Sequence, residues 1–279
     1  MNKTINFFII LILFFSNNCI AQNNADKVNV LKGQKIKLSS IDTSLLTQKQ
    51  GDNPMDMKTF SNSTTEIEII DVNNEEIIAT QTLKHIQIDF EGYGQKMSYN
   101  SSDSTKKQEG MMAEQLKNKI NHADTIYISC EGKLIEKEEK KDNKKKGGGM
   151  MRMMNQGGMN LENIFLLIPN EAKEGSGWKK DNKKDDLKTQ TIYFIEKIDG
   201  NSVEVSYKKK SKGSITTKGG PAGELKIEID NISDGYIIAD RTNGLVKSYT
   251  EKTQSNSKFN AMGQDMSTAG TITTHQTVE

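Results

Sequence analysis

Five methionines in ten residues are the densest chemical signal in this chain. Met150, Met151, Met153, Met154 and Met159 follow a triple glycine at 147–149. Thioether sulfurs are soft donors suited to copper(I), so the run defines a candidate metal site. The lysines just upstream, at 144–146, oppose cation capture, and neither Cys nor His accompanies the cluster. A compositional loop is the competing reading. The three histidines, His85, His122 and His275, lie far apart in sequence. His122 and Asp124 would make a zinc pair only with ligands from elsewhere. Cys130 ends the alternating run Ile126-Tyr127-Ile128-Ser129-Cys130, where a small hydrophobe facing the core is expected. The chain contains no His-Glu-x-x-His, Walker loop or Gly-x-Ser-x-Gly turn. Gly175-Ser176-Gly177-Trp178 has the wrong glycine pattern for a nucleophile turn, and Ser176 reads as a bend residue. Nothing here identifies a catalytic residue, and no cofactor is implied.

The elements that would position a site are strands. Period-two alternation runs through residues 64–70, 76–90, 125–130, 190–198, 203–209, 224–229 and 271–278. Turn chemistry punctuates them at Asp71-Val72-Asn73-Asn74, Asp199-Gly200-Asn201 and Asn243-Gly244. Met112, Leu116 and Ile120 are spaced by four, which predicts a helix over 107–121. Leu161, Ile164, Phe165 and Ile168 would share a helical face, so 161–168 reads as a second short helix ended by Pro169. Residues 42–60 show no decisive period, and 213–223 and 255–270 read as polar loops. Charge runs followed by glycine make 138–158 a segment with little to bury.

The first residues read as an export leader. Lys3 precedes an apolar stretch at 5–15, and Ala21 supplies a small residue for cleavage. Lipid attachment at Cys19 is the lesser alternative, because Ser16-Asn17-Asn18 is a poor context for it. The sequence has 38 Lys plus Arg and 37 Asp plus Glu; losing Lys3 with the leader leaves 37 against 37. Such a balance supplies no field for nucleic acid. The lysine runs at 144–146, 179–180, 183–184 and 208–210 are mostly flanked by acids and read as solvated faces. No segment after the leader is apolar enough to span a bilayer as a helix.

The order of the early Lys32-Gly33 strand, Tyr99-Asn100-Ser101-Ser102-Asp103, the 126–136 hairpin turning at Gly132, the 169–178 stretch and Asn243-Gly244-Leu245-Val246 resembles a family of exported proteins from Bacteroidetes-type bacteria. That family carries no established activity, so the resemblance assigns no residue a catalytic role. The Gly- and Met-rich insertion departs from its pattern. More loosely, the chain is similar to the open β-barrels of periplasmic lipoprotein carriers.

The expectation is therefore a mainly β protein: an antiparallel curved or open-barrel-like sheet with one or two short helices packed on it. The expected organisation is a leader at 1–21, a β unit with a short helix at 22–137, a Lys/Gly/Met-rich loop at 138–160, and a second β unit at 161–279. The role expected is a non-enzymatic envelope protein, periplasmic or secreted, that binds a lipid or other apolar ligand or plays a structural part. Ile86, Ile88, Phe90, Met112, Leu116, Ile120 and Trp178 are the candidate ligand-lining residues. Copper binding through the methionine run and hydrolysis at an unidentified site are the alternatives. No protein partner is indicated.

Overall fold

The computed structural model describes residues 27–103, 111–135, 137, 161–184, 186–218, 224–261 and 263–279. Eleven strands form one antiparallel sheet: β1 Lys35–Gln50, β2 Asn53–Val72, β3 Glu76–Gly92, β4 Gln95–Asn100, β5 Ala123–Ser129, β6 Gly177–Lys184, β7 Leu187–Asp199, β8 Ser202–Lys218, β9 Glu224–Asp240, β10 Val246–Ala261 and β11 Gln264–Val278. The order across the sheet is β4-β3-β2-β1-β11-β10-β9-β8-β7-β6, with β5 also on β3. Every neighbour is a hairpin partner except β3 with β5 and β1 with β11. The first and last strands meet in the middle, from Leu38 opposite Val278 to Gln50 opposite Met266.

Several strands are 16 to 20 residues long, against a usual five or six. Strands of this length twist and coil, and bulges add bend. The register shifts between Thr64 and Thr65 and between Ile69 and Asp71 on β2, between Ile195 and Lys197 on β7, and between Val246 and Ser248 on β10. Gly132, just past β5, lies against Phe165, which in turn bridges to Leu245 ahead of β10. The sheet therefore curls.

One end of the curled sheet is sealed. On one side, Ile36, Leu38, Ile67, Ile69, Ile77, Ala79 and Ile128 cluster with Val28 and Val30. On the other, Ile195, Val203, Val205, Ile237, Ala239 and Val246 form a second cluster. Residues 161–168 bridge them. Leu161, Ile164 and Phe165 enter the first cluster, and Leu166 and Ile168 the second. Leu166 N donates to Gly244 O and Val246 N to Ile164 O, both at 2.8 Å, which ties the segment to the β9–β10 turn.

The helical expectation is corrected. The helix expected to reach 121 ends at Lys117: among the described residues α1 is Met111–Lys117, and 107–110 lie outside them. Ile120 instead forms a parallel bridge with Leu83, and Asn121 takes a positive φ of 58°. The second expected helix does not form. Only a 3-10 turn, Leu161–Asn163, is present, and the chain then runs extended. The apolar residues at 164–166 and 168 serve two clusters on opposite sides, so all are buried without a helical stripe. The antiparallel curved sheet itself is present. Three stretches that read as loops or gave no decisive period are also strand: residues 42–60 belong to β1 and β2, 213–218 to β8, and 255–270 mostly to β10 and β11.

Candidate functional site: the inner face of the sheet

Alternation assigns each strand an inner and an outer set. On β1, Ile36, Leu38, Ser40, Asp42 and Gln48 are buried, while Lys35, Lys37, Ile41, Thr43, Leu45 and Lys49 are exposed. The register carries the inner set across the sheet: Ser40 faces Ser63 on β2 and Gln276 on β11, and Asp42 faces Ser61 and Thr274. The inner face has three zones along the strands. The sealed apolar end comes first, a polar belt follows, and an apolar band lies at the open end.

The polar belt begins beside an aromatic row. Trp178 on β6 stacks on Tyr193 at 4.7 Å between ring centroids, Tyr193 meets Tyr207 at 5.8 Å, and Tyr207 meets Tyr249 at 6.1 Å. The row skips β9, because Gly235 stands opposite Tyr207. A Cβ there would fall 2.1 Å from Tyr207 Cζ. The missing side chain lets the phenol lie across β9 and reach β10. Its hydroxyl sits 2.8 Å from the Tyr249 hydroxyl and donates to Glu251 Oε2 at 2.7 Å. Lys209 pairs with the same carboxylate. Burial pushes the Tyr207 and Tyr249 hydroxyls far above the usual phenol range, and the Glu251 charge adds to it. For Glu251, burial favours the neutral acid. The Lys209 charge and the donors around it outweigh that, so its pKa lies below the usual carboxylate value.

Farther across, Asp42 Oδ1 accepts from Thr274 Oγ1 at 2.6 Å and Oδ2 from Ser40 Oγ at 2.9 Å. Burial raises its pKa, and the hydroxyl donors offset that only in part. Ser233 and Thr253 share a hydrogen bond of 2.8 Å between them. Buried polar groups need such partners, and the belt supplies them from strand to strand.

Beyond the belt, Ile215, Ile227, Phe259 and Met266 stand directly opposite one another on β8, β9, β10 and β11. Leu46 pairs with Met57 and Phe90 with Met97 on the other half of the same face. Met57 is buried; the others are half-buried and belong to none of the core clusters. The sequence reading missed this band. Its residues alternate, but 255–270 contains so many Ser, Asn and Gln that Phe259 and Met266 did not declare a strand.

The seven expected lining residues separate. Ile86, Ile88 and Leu116 are buried in one filled cluster with Leu83, Tyr99 and Ala113, and Ile120 packs against it. Met112 lies in α1. Phe90 points to the open-end band, stacked on Tyr93 at 6.5 Å. Trp178 is across the sheet, in the aromatic row. Met150, Met151, Met153, Met154 and Met159 lie outside the described residues, as does Cys19. Among the described residues, no three His, Cys, Asp or Glu converge as a metal site. His85 Nδ1 faces Ser102 Oγ at 2.9 Å, and His122 pairs with Asp124 at 3.3 Å on an exposed turn. Cys130 is half-buried, its thiol donating to Asn74 O at 3.3 Å.

No protein-family model matches the chain, and no curated protein matches it. Among solved structures, the chain is similar to lipovitellin, described for its lipid–protein interactions. That likeness has 10% identity and a TM-score of 0.49, over 90% of this chain and 25% of the other, so the chain spans about a quarter of that relative. An outer membrane channel from Pseudomonas putida F1 aligns over 91% of this chain and 98% of its own at 9% identity and TM-score 0.25. The translocator domain of autotransporter NalP from Neisseria meningitidis aligns over 89% of each chain at 6% identity and TM-score 0.21. Likenesses this distant establish no shared activity. Among the described residues, no helix is long and apolar enough to cross a membrane. The outer face carries Lys35, Lys37, Glu66, Glu68, Lys208 and Lys212, where a spanning barrel presents an apolar belt. What is established is a mainly β chain built on one antiparallel, curled and open sheet.

Proposed function

We propose that this chain is an exported, non-enzymatic envelope protein that binds an amphiphile on the inner face of its sheet, at the open end. The observation that carries the reading is the registered ladder Ile215–Ile227–Phe259–Met266, apolar, half-buried and outside every core cluster. Apolar side chains lining a concave wall favour an apolar ligand. The adjoining polar belt suits a ligand with a polar end. Phe90, one of the expected lining residues, faces the same band, whereas Ile86, Ile88, Leu116 and Ile120 fill their own cluster. Lys3 and the apolar stretch at 5–15 support export, with mature protein in the periplasm or outside the cell.

Titration with a fluorescent fatty acid tests the reading, alongside native mass spectrometry of protein gently extracted from its producing cell. Phe259→Glu and Ile227→Glu are expected to weaken probe binding by about tenfold or more, since each puts a charge in the apolar band. Ile86→Val, in the filled cluster, is expected to leave binding unchanged. Equal affinity in all three variants would sink the proposal. Copper(I) capture by Met150, Met151, Met153, Met154 and Met159 is the second reading, motivated by their thioether density. Deleting residues 147–159 without change in copper(I) affinity would end it.

A further inference from the structure

The lysines of three separate sequence segments come together on the outer face. β6, β7 and β8 place Lys183 opposite Lys188 and Lys188 opposite Lys212, three like charges in one row across adjacent strands. Directly opposed like charges destabilise a sheet, so the row works against the fold it sits on. Lys210 lies one step along, and these four lysines border a depression of about 420 Å³ whose one acid, Asp181, pairs with Lys179. Only Lys212 has an acid partner among the described residues, Asp230 at 3.7 Å. Lys183, Lys188 and Lys210 have none. The acids of the same face, Asp181, Asp230 and Asp234, pair with Lys179, Lys212 and Lys208.

The same outer face carries apolar side chains that no described residue covers. Ile192 is 51% exposed and Phe194 43% on β7, and Ile232 is 51% exposed on β9. Pairing sets Ile192 opposite Lys208 and Ile232 opposite Lys210. Uncompensated lysines interleaved with exposed Ile and Phe match a surface that meets anionic headgroups and inserts shallowly between them.

We infer that the outer face of β6–β9 docks on an anionic bilayer surface, with Lys183, Lys188 and Lys210 meeting headgroup phosphates and Ile192, Phe194 and Ile232 entering the interface. The inference goes beyond the amphiphile site, which lies on the opposite face, and either can fail alone.

Vesicle co-sedimentation tests it, using the chain from residue 22 onward, which contains the whole described sheet. With phosphatidylcholine vesicles containing ~30 mol% phosphatidylglycerol, binding is expected, and with phosphatidylcholine alone none. Raising NaCl to about 0.5 M is expected to release the protein, as screening shortens the reach of each lysine. Lys183→Glu/Lys188→Glu/Lys210→Glu is expected to lower partitioning about tenfold or more, and Ile192→Ser/Phe194→Ser about threefold or more. Lys49→Glu/Lys58→Glu, on the outer face of β1 and β2, is expected to bind as the parent does. Circular dichroism and the fluorescent fatty-acid titration verify that each variant keeps its fold and inner site. Equal binding to neutral and anionic vesicles would overturn the inference. So would unchanged partitioning of a folded triple variant, or equal loss in the Lys49/Lys58 control.

Discussion

Gly235 shows how one absent side chain organises the inner face. Its hydrogen is what lets Tyr207 cross β9 to Glu251. Gly235→Ala is therefore expected to cost about 2–3 kcal/mol, through overpacking against the buried Tyr207 ring. Tyr207→Leu in the same chain is expected to recover part of that loss, and urea melts of the two single variants and the double give the coupling. The inner-face carboxylates Asp42 and Glu251 oppose each other in their response to acid. Glu251 has a lowered pKa in the fold, so its contribution is full above the unfolded value near 4.5 and fades as pH falls through the folded value. Asp42 has a raised pKa. Its ionised form costs stability at neutral pH, and that cost fades as pH falls from the folded value toward 3.8. Glu251→Gln is thus expected to destabilise at pH 7 by about 2 kcal/mol, leaving Lys209 without its anion. Asp42→Asn is expected to be neutral or stabilising at pH 7, with a smaller difference at pH 4. Denaturant melts at both values measure all four quantities, and a loss for Asp42→Asn as large as that for Glu251→Gln would refute the assignment.

At the level of elements, strands were legible where one face is apolar and the other charged. Residues 64–70 and 224–229 fall inside β2 and β9, and Asp199-Gly200-Asn201 and Asn243-Gly244 mark turns. In the hairpin of β10 and β11, 271–278 was read as strand and lies in β11, but 255–270 was not legible. Its inner positions Glu251, Thr253, Ser255 and Ser257 are polar, so neither face stands out by hydropathy, although the ladder is unbroken from Ser248–Thr277 to Ala261–Gln264. A four-residue spacing misled over 107–121. Leu116 and Ile120 both reach the cluster around Ile86, yet the second does so from a β-bridge rather than a helical turn. Residues 161–168 misled differently: an apolar run fits any element that is buried on all sides. The importance of that segment is directly measurable. Ile164 is 1% exposed, and Ile164→Ala is expected to cost about 2–4 kcal/mol. A thermal melt unchanged from the parent would show that the bridge between the two clusters is not under load. The inner-face ladder at the open end was invisible for the same reason as the hairpin, since it needs the register of four strands to exist.

For the whole molecule, the sheet is a meander whose two ends of chain meet at its centre. β1 and β11 pair over thirteen positions, Leu38–Gln50 with Met266–Val278, and Lys37 and Glu279 exchange two further backbone hydrogen bonds at 2.8 and 2.9 Å. Each half-sheet is local in sequence, but their union is the longest-range contact in the chain. β11 alone closes the seam between the two halves. Without it, β1 and β10 each hold a long row of unpaired amides and carbonyls, the kind of edge that recruits other chains. A product ending at Ala261 is accordingly expected to self-associate, as sedimentation velocity would register, and a synthetic peptide of residues 264–278 added in trans is expected to return it to monomer. A sheet wired this way keeps its defence against aggregation in one strand: the loss of β11 leaves not a slightly weaker sheet but two sticky halves.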